Sequence, residues 1–136
     1  MGFEKFGKVT FAPYSKVSVF VDKLKEGKIE GTKCRKCSTF YFPPKGDCPK
    51  CSASDMEWVT VKGDGKLVTY TTIHAAPTGF EKDAPYTIGV VSLPEGGHLM
   101  AWLEDLKEAD LKVGMDLKVV PKALPEDRIM YVLKKP

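Results

Sequence analysis

Apolar positions recur with a helical spacing near the N-terminus of this chain. Four residues define the stripe: Val17, Phe20, Val21 and Leu24. Their spacing predicts a short helix over residues 16–26, with Ser15 as a candidate N-cap and Gly27 closing its C-terminus. Such a stripe packs on the chain's own core or docks on a partner protein as an arm, and the pattern alone leaves both interpretations open.

Beyond residue 63 the pattern changes to short runs rich in β-branched and aromatic residues, which favour strands. Five runs have this character: residues 66–74, 86–93, 98–103, 116–120 and 129–133. Residues 104–111 predict a short helical or turn segment between the third and fourth strands. This order matches an OB-fold barrel. The 10 prolines and 12 glycines agree, because they favour many turns and disfavour a helical bundle.

All the cysteines lie between these two regions, as two Cys-x-x-Cys pairs separated by ten residues. They are Cys34, Cys37, Cys48 and Cys51. Each pair in a tight turn directs two sulfurs to one point, and the intervening strand and Pro-Pro turn allow the two turns to face each other. Four thiolates then complete a closed tetrahedral site, which predicts a structural zinc.

Other chemistries for the four cysteines are less consistent with the pattern. Two disulfides are unexpected in a chain whose start lacks a signal-peptide pattern. A thioredoxin-type centre needs a single pair at the start of a helix. Iron in a rubredoxin-like site uses the same four ligands, so the spacing leaves both metals open. A four-sulfur site has no position for an activated water, so we expect it to be structural and not catalytic.

These patterns divide the chain into three parts and predict a mainly β fold. We expect an N-terminal helical arm over residues 1–32, a zinc ribbon over residues 33–58 and a five-stranded OB-fold over residues 59–136. No run approaches the roughly 18 apolar residues of a membrane-spanning helix, which predicts no membrane association. With the cysteine usage, this predicts a cytoplasmic location.

The charge distribution bears on which partners the barrel could bind. The net charge is +3, but residues 1–63 hold 12 Lys/Arg against 7 Asp/Glu, whereas residues 64–136 hold 9 against 11. A nucleic-acid binder usually has a clustered basic excess, so the acidic barrel half argues against nucleic acid as a partner. Single-stranded nucleic acid remains the alternative ligand, because OB-folds bind it by stacking aromatics. Five aromatics are available, most of them expected in the core: Tyr70, Phe80, Tyr86, Trp102 and Tyr131.

The sequence offers few parts for an enzyme. His74 and His98 are the two histidines; we expect the first to be hydrogen-bonded at a strand end and the second to be solvated. The adjacent carboxylates at residues 104–105 and 126–127 lie in polar connecting segments and are expected at the surface, whereas an acid/base pair needs two different environments. We therefore predict that the chain is not an enzyme.

Several motifs together resemble one known family. They are the two cysteine pairs, Phe-Tyr-Phe-Pro-Pro at residues 40–44, the Gly-x-Gly-x-Leu-x-Thr-Tyr-Thr segment at 63–71 and the strand at 85–93. The chain resembles, over about residues 15–135, the zinc-ribbon OB-fold family associated with acyl-CoA enzymes, domain of unknown function thirty-five. The resemblance implies a rubredoxin-like ribbon joined to an OB-fold, and a non-catalytic partner of thiolase-superfamily enzymes.

The resemblance also implies a ligand. Archaeal members bridge an acetoacetyl-CoA thiolase and hydroxymethylglutaryl-CoA synthase in the mevalonate pathway and help to form a shared CoA site; bacterial relatives serve other thiolase-like enzymes. Three cations beside the first cysteine pair would then meet CoA phosphates: Lys33, Arg35 and Lys36. Three aromatics would pack on the pantetheine arm or on a partner: Tyr41, Phe42 and Phe80. Alternatively, the cations merely solvate the metal site.

Overall fold

The structure, a computed structural model that describes residues 2–10 and 12–136, contains a small sheet and a closed barrel. The sheet has three strands in the order β2 (Phe40–Tyr41), β1 (Glu30–Cys34), β3 (Met56–Thr60). The barrel has five in the order β4 (Asp64–Ile73), β5 (Tyr86–Ser92), β6 (His98–Leu103), β8 (Arg128–Lys134), β7 (Asp116–Leu124). The predicted mainly β fold with a five-stranded barrel is therefore confirmed. None of the helices in the described part of the chain is long and apolar enough to span a membrane. The described residues also form one helix, α1 (Val19–Lys25), and two 3₁₀ turns, Phe3–Lys5 and Glu108–Asp110.

The barrel closes because β6 and β8 run parallel and join two antiparallel units. The register pairs Trp102 with Val132 in this parallel contact, and every other neighbouring pair of barrel strands is antiparallel. Alternate residues point inward, as the period of a half-buried strand requires. The barrel interior is formed by side chains that are at most 1% exposed: Leu67, Val91, Leu99, Leu117 and Leu133.

The helix is shorter than the sequence predicts. It begins at Val19, and residues 16–18 form a turn in place of the first helical turn. The Oγ of Ser15 accepts a hydrogen bond from the Val17 N–H at 3.1 Å, and the Oγ of Ser18 accepts one from the Ser15 N–H at 2.9 Å. These bonds cap a separate turn, which Ser18 N–H closes by donating to the Ser15 carbonyl at 3.2 Å. Regular helix begins only after this turn, so the predicted start at residue 16 is wrong.

The apolar stripe of α1 packs on the chain's own core. Phe20, Val21 and Leu24 are at most 1% exposed and belong to the same hydrophobic cluster as the barrel interior. The helix is also joined to β1 by an ion pair between Lys23 Nζ and Glu30, 3.0 Å apart. The interpretation in which the stripe packs on its own protein is confirmed, and the stripe is not available to a partner.

The N-terminal segment, residues 2–10, fills a gap beside β8. Phe6 forms a parallel bridge with Ile129, and the N–H of Gly7 donates to the Ile129 carbonyl at 2.7 Å. The Arg128 guanidinium donates to the Gly7 carbonyl oxygen and to Thr10 Oγ1, both at 2.6 Å. This segment is thus built into the barrel wall, which the sequence pattern does not predict.

The last hairpin is longer than predicted. β7 continues past residue 120 to Leu124 and remains paired with β8 through the partners Pro121↔Tyr131 and Leu124↔Arg128. Proline is disfavoured within central strands, so Pro121 concealed this extension from pattern analysis. The segment at 104–111 contains one 3₁₀ turn, Glu108–Asp110, and no longer helix.

Candidate metal centre and its surroundings

The four cysteine sulfurs converge on one point. Their Sγ atoms all lie within 4.8 Å of one another, and Cys34–Cys51 and Cys37–Cys48 are each 3.5 Å apart. Tetrahedral zinc with bonds of about 2.3 Å requires sulfur–sulfur separations of about 3.8 Å. The donor set and its spacing therefore fit a structural zinc, as the sequence predicts.

Two matching backbone turns place the sulfurs, and we call each of them a knuckle. In the first, Ser38 N–H donates to the Cys34 carbonyl at 2.9 Å; in the second, Ser52 N–H donates to the Cys48 carbonyl at 2.8 Å. Both serines lie in the left-handed region, with φ of 62° and 63°. The repeated geometry explains why the same Cys-x-x-Cys spacing occurs twice.

Two hydroxyls reach the sulfurs from the segment that follows the first knuckle. Tyr41 Oη lies 3.3 Å from Cys48 Sγ, and Thr39 Oγ1 lies 3.2 Å from Cys37 Sγ. In the metal-free cluster, the hydrogen bond from Tyr41 lowers the pKa of Cys48 to about 6, and the same bond raises the pKa of Tyr41 to about 12. The bond from Thr39 lowers the pKa of Cys37. The two hydroxyls thus favour the thiolate form of Cys37 and Cys48, which a metal needs.

The three candidate cations lie on the first knuckle and the strand that leads into it. Lys33 is half-buried in β1, whereas Arg35 and Lys36 are exposed. Arg35 Nε forms an ion pair with Asp55 at 3.1 Å, and its Nη1 lies 4.0 Å from Glu57. The three cations are neighbours along the chain, and Arg35 already shares its charge with two carboxylates.

The three candidate aromatics lie in different environments. Tyr41 is engaged with Cys48, and Lys45 Nζ lies 5.9 Å from its ring centroid. Phe42 is 4% exposed, and its ring packs against Phe20 and Tyr131. The core occupies most of the Phe42 ring, so its burial leaves little of the ring for the ligand contact that the sequence suggests.

Phe80 belongs to a separate aromatic cluster on the barrel. Tyr86 and Trp102 stack with ring centroids 4.2 Å apart, and Phe80 lies 5.8 Å from Trp102. Lys8 forms an ion pair with Asp83, and its Nζ lies 5.1 Å from the Trp102 ring centroid. The N-terminal segment therefore holds the loop between β4 and β5 against the barrel. All three rings are half-buried and lie outside the hydrophobic cluster, whereas Tyr70 and Tyr131, which are also half-buried, pack against it.

An apolar cleft of about 230 Å³ lies next to this cluster. Its walls come from the N-terminal segment, β5, β6 and β8, and include Phe6, Ile88, Met100, Trp102 and Met130. Sequence analysis did not identify it, because no local motif indicates that the N-terminal segment returns to these strands. Met100, at 62% exposure, is the most solvent-accessible of these side chains.

The titratable residues considered for catalysis do not come together. His98 is exposed, as expected, and His74 is exposed just beyond the end of β4. A bulge between Leu67 and Thr69 shifts the alternation of side chains along that strand. Glu104 corrects the expectation of a solvated carboxylate: its side chain is 24% exposed and lies 3.0 Å from Lys122 Nζ.

Comparison with known proteins matches both halves of the chain to described families. Residues 21–57 match the ChsH2 rubredoxin-like zinc ribbon domain, and residues 58–122 match the ChsH2 C-terminal OB-fold domain. A DUF35 domain-containing scaffold protein of Methanocaldococcus jannaschii is 39% identical over 98 residues, which cover 71% of this chain and 70% of that protein. A protein of the same description from Pyrococcus furiosus is 32% identical over 99 residues, covering 73% and 72% of the two chains.

The match to a third relative covers a smaller share of both chains. It is the benzoylsuccinyl-CoA thiolase subunit BbsA of Thauera aromatica, 32% identical over 76 residues, which cover 56% of this chain and 51% of that protein. Among solved structures, the Ltp2-ChsH2(DUF35) aldolase superposes with a TM-score of 0.78 at 24% identity, covering 93% of this chain and 98% of that chain. This likeness confirms the combined ribbon and barrel fold.

Proposed function

Because the chain belongs to the DUF35 family of zinc-ribbon and OB-fold proteins, we propose that it is a non-catalytic subunit of a thiolase-type acyl-CoA enzyme complex. The observation that carries the proposal is the 39% identity to a scaffold protein over 98 residues, a length that exceeds either domain match alone. The similarity to a subunit of a thiolase supports the class of partner. The closed four-sulfur site fits a structural role, since it has no position for substrate or water.

A more specific form of the proposal names the two enzymes that this chain holds together. The chain bridges an acetoacetyl-CoA thiolase and hydroxymethylglutaryl-CoA synthase, in the mevalonate pathway, or joins another thiolase-superfamily enzyme. The first pairing is the one that the resemblance implies for archaeal members of the family, and the two scaffold relatives come from archaea. The proposal places the protein in the cytoplasm, where reducing conditions keep cysteines available to a metal.

We further propose that the complex shares a CoA site to which this chain contributes. Lys33, Arg35 and Lys36 would meet the phosphates as charge-assisted donors. Phe80, half-buried at the edge of the barrel cluster, would pack on the pantetheine arm or on the partner enzyme. The excess of 12 Lys/Arg over 7 Asp/Glu in residues 1–63 supports the choice of the ribbon half for the phosphates.

Purification from the native cells tests the scaffold role. A tagged copy is isolated at moderate salt, and its companions are identified and quantified by mass spectrometry. We expect a thiolase-like enzyme in near-stoichiometric amount. Recovery of ribosomal or replication proteins alone, or of the chain by itself, contradicts the proposal.

The CoA contact has its own test in the purified complex. We expect the triple replacement of Lys33, Arg35 and Lys36 by alanine to weaken CoA binding, measured by calorimetry, at least several-fold. A matched control replaces three exposed barrel lysines, Lys107, Lys112 and Lys135, with alanine and keeps the same change in net charge. If the two variants bind CoA with equal affinity, the proposed contact between these three cations and CoA is wrong, but the proposed scaffold role is unaffected.

The stacked Tyr86–Trp102 pair favours a second candidate, a single-stranded nucleic-acid-binding protein. Anisotropy of labelled oligonucleotides distinguishes the two. A nucleic-acid-binding protein shows tight binding with a steep salt dependence. The scaffold proposal expects weak binding at moderate salt, and tight binding would favour this second candidate.

A further inference from the structure

Two side-chain hydroxyls touch the cysteine cluster from one short segment between the knuckles. Thr39 Oγ1 lies 3.2 Å from Cys37 Sγ, and Tyr41 Oη lies 3.3 Å from Cys48 Sγ. We propose that both hydroxyls donate hydrogen bonds to metal-bound thiolates and slow the loss of the metal. Thr39 and Tyr41 are therefore positioning residues of the metal site.

The direction of these bonds follows from the chemistry of the ligands. A cysteine that binds a metal has lost its proton, so Cys37 and Cys48 can only accept, and each hydroxyl must donate. Four thiolates around one Zn²⁺ leave a net charge of about −2 on the site. A donated O–H shares part of that charge, and groups that hydrogen-bond to ligands typically change metal affinity 10–100-fold.

The backbone places both donors before any metal is bound. Tyr41 is in β2, directly opposite Thr32 of β1, and the absence of a side chain at Gly31 lets the two strands approach closely. Thr39 is fixed by its carbonyl oxygen, which accepts from the Cys34 N–H at 3.0 Å. The donors therefore need little reordering when the metal arrives, which favours a real contribution to binding.

The two bonds are divided between the two halves of the site. Cys37 belongs to the first knuckle and Cys48 to the second, and their sulfurs are 3.5 Å apart. Each knuckle thus has one thiolate supported by a hydroxyl. Loss of either hydroxyl leaves one knuckle without this support, so the two replacements should add in their effect on metal release.

The test measures zinc transfer from the full-length, zinc-loaded protein to a coloured chelator. We expect Tyr41→Phe and Thr39→Val each to release zinc about 10-fold faster, and the double variant faster still. Thr39→Ser keeps the hydroxyl and is the matched control, with a rate near the parent's. Tyr14→Phe removes a hydroxyl from a side chain that is 76% exposed and controls for the tyrosine replacement.

A spectroscopic measurement separates this effect from a loss of folding. In cobalt-substituted protein, removal of a hydrogen bond raises the energy of the sulfur lone pairs, so the thiolate-to-cobalt absorption should move to longer wavelength. Unchanged release rates and absorption in folded Tyr41→Phe and Thr39→Val overturn the proposal. If the Tyr41→Phe variant does not fold, the comparison of Thr39→Val with Thr39→Ser still tests the proposal. If the Thr39→Val variant does not fold, the comparison of Tyr41→Phe with the parent tests it.

Discussion

The Nε of Arg128 donates to the carbonyl oxygen of Gly7 at 2.6 Å, and so joins residues that are 121 positions apart. The same guanidinium donates to Thr10 Oγ1 at 2.6 Å. A single side chain at the start of β8 therefore holds the N-terminal segment along the barrel. Because Lys8 of that segment also contacts Asp83 and Trp102, the segment connects two distant parts of the barrel wall.

We expect Arg128→Lys to release this segment while leaving the charge in place. Lysine cannot reproduce the forked geometry of the guanidinium, and hydrogen bonds to charged groups contribute about 1.5–3 kcal/mol. The free energy of unfolding in urea should fall by about 2 kcal/mol, and amides of residues 2–10 should exchange faster. Arg35→Lys, at an exposed ion pair, is the control and should change stability by less than about 1 kcal/mol. Equal stabilities in the two variants would contradict this role of Arg128.

Gly31→Ala tests the close approach of the ribbon strands. A Cβ at this position would collide with the Tyr41 carbonyl and lie 2.7 Å from the Phe40 ring. We expect the free energy of unfolding to fall by about 1–3 kcal/mol, because the strands must move apart to accommodate the Cβ. Zinc release should be faster, because the displaced β2 would take the Tyr41 hydroxyl away from the metal site. Gly114→Ala, where a Cβ has open space but φ is +92°, should cost stability without affecting zinc release. Zinc release that is unchanged in Gly31→Ala argues against the coupling.

One zinc per chain is expected from elemental analysis of protein produced without added metal. Cys48→Ser should abolish tight binding, because oxygen is a poor substitute in a four-sulfur site. Hydrogen exchange should then increase in β1 and β3, whereas the barrel strands should keep their protection, since the ribbon has little core of its own. Folded parent protein that contains no metal would contradict the structural role of the site.

Alkaline unfolding should depend on Tyr131. Burial raises the pKa of its phenol to about 12 in the folded state, above the usual value of 10.0. A group whose folded pKa is raised stabilises the fold fully below its unfolded pKa and loses that contribution as pH rises. Stability should thus decline between about pH 10 and 12 by up to about 2 kcal/mol. Tyr131→Phe should reduce this decline, whereas the exposed Tyr14→Phe should leave it unchanged; identical pH profiles for all three proteins would contradict the assignment.

Much of the architecture could be predicted because its signals are local. The two Cys-x-x-Cys pairs each specify a turn within a few residues, and their repetition indicates a shared metal. Strand patterns likewise depend on neighbours along the chain, so β6 was predicted with its correct bounds, and β5 to within one residue. The helix start was missed because hydrogen bonds of Ser15 and Ser18 form a separate turn ahead of the regular helix. The end of β7 was missed because Pro121, a residue type disfavoured within strands, lies inside it.

The sequence by itself determined the kinds of elements, the metal ligands and the order of ribbon and barrel, since these rest on short-range periodicity and spacing. Only the tertiary structure decided what each side chain contacts. It buried Phe42 in the core, directed the Tyr41 hydroxyl to Cys48 and brought Arg128 to the N-terminal segment. Such contacts depend on how strands distant along the chain are brought together in space, and no local period encodes that arrangement.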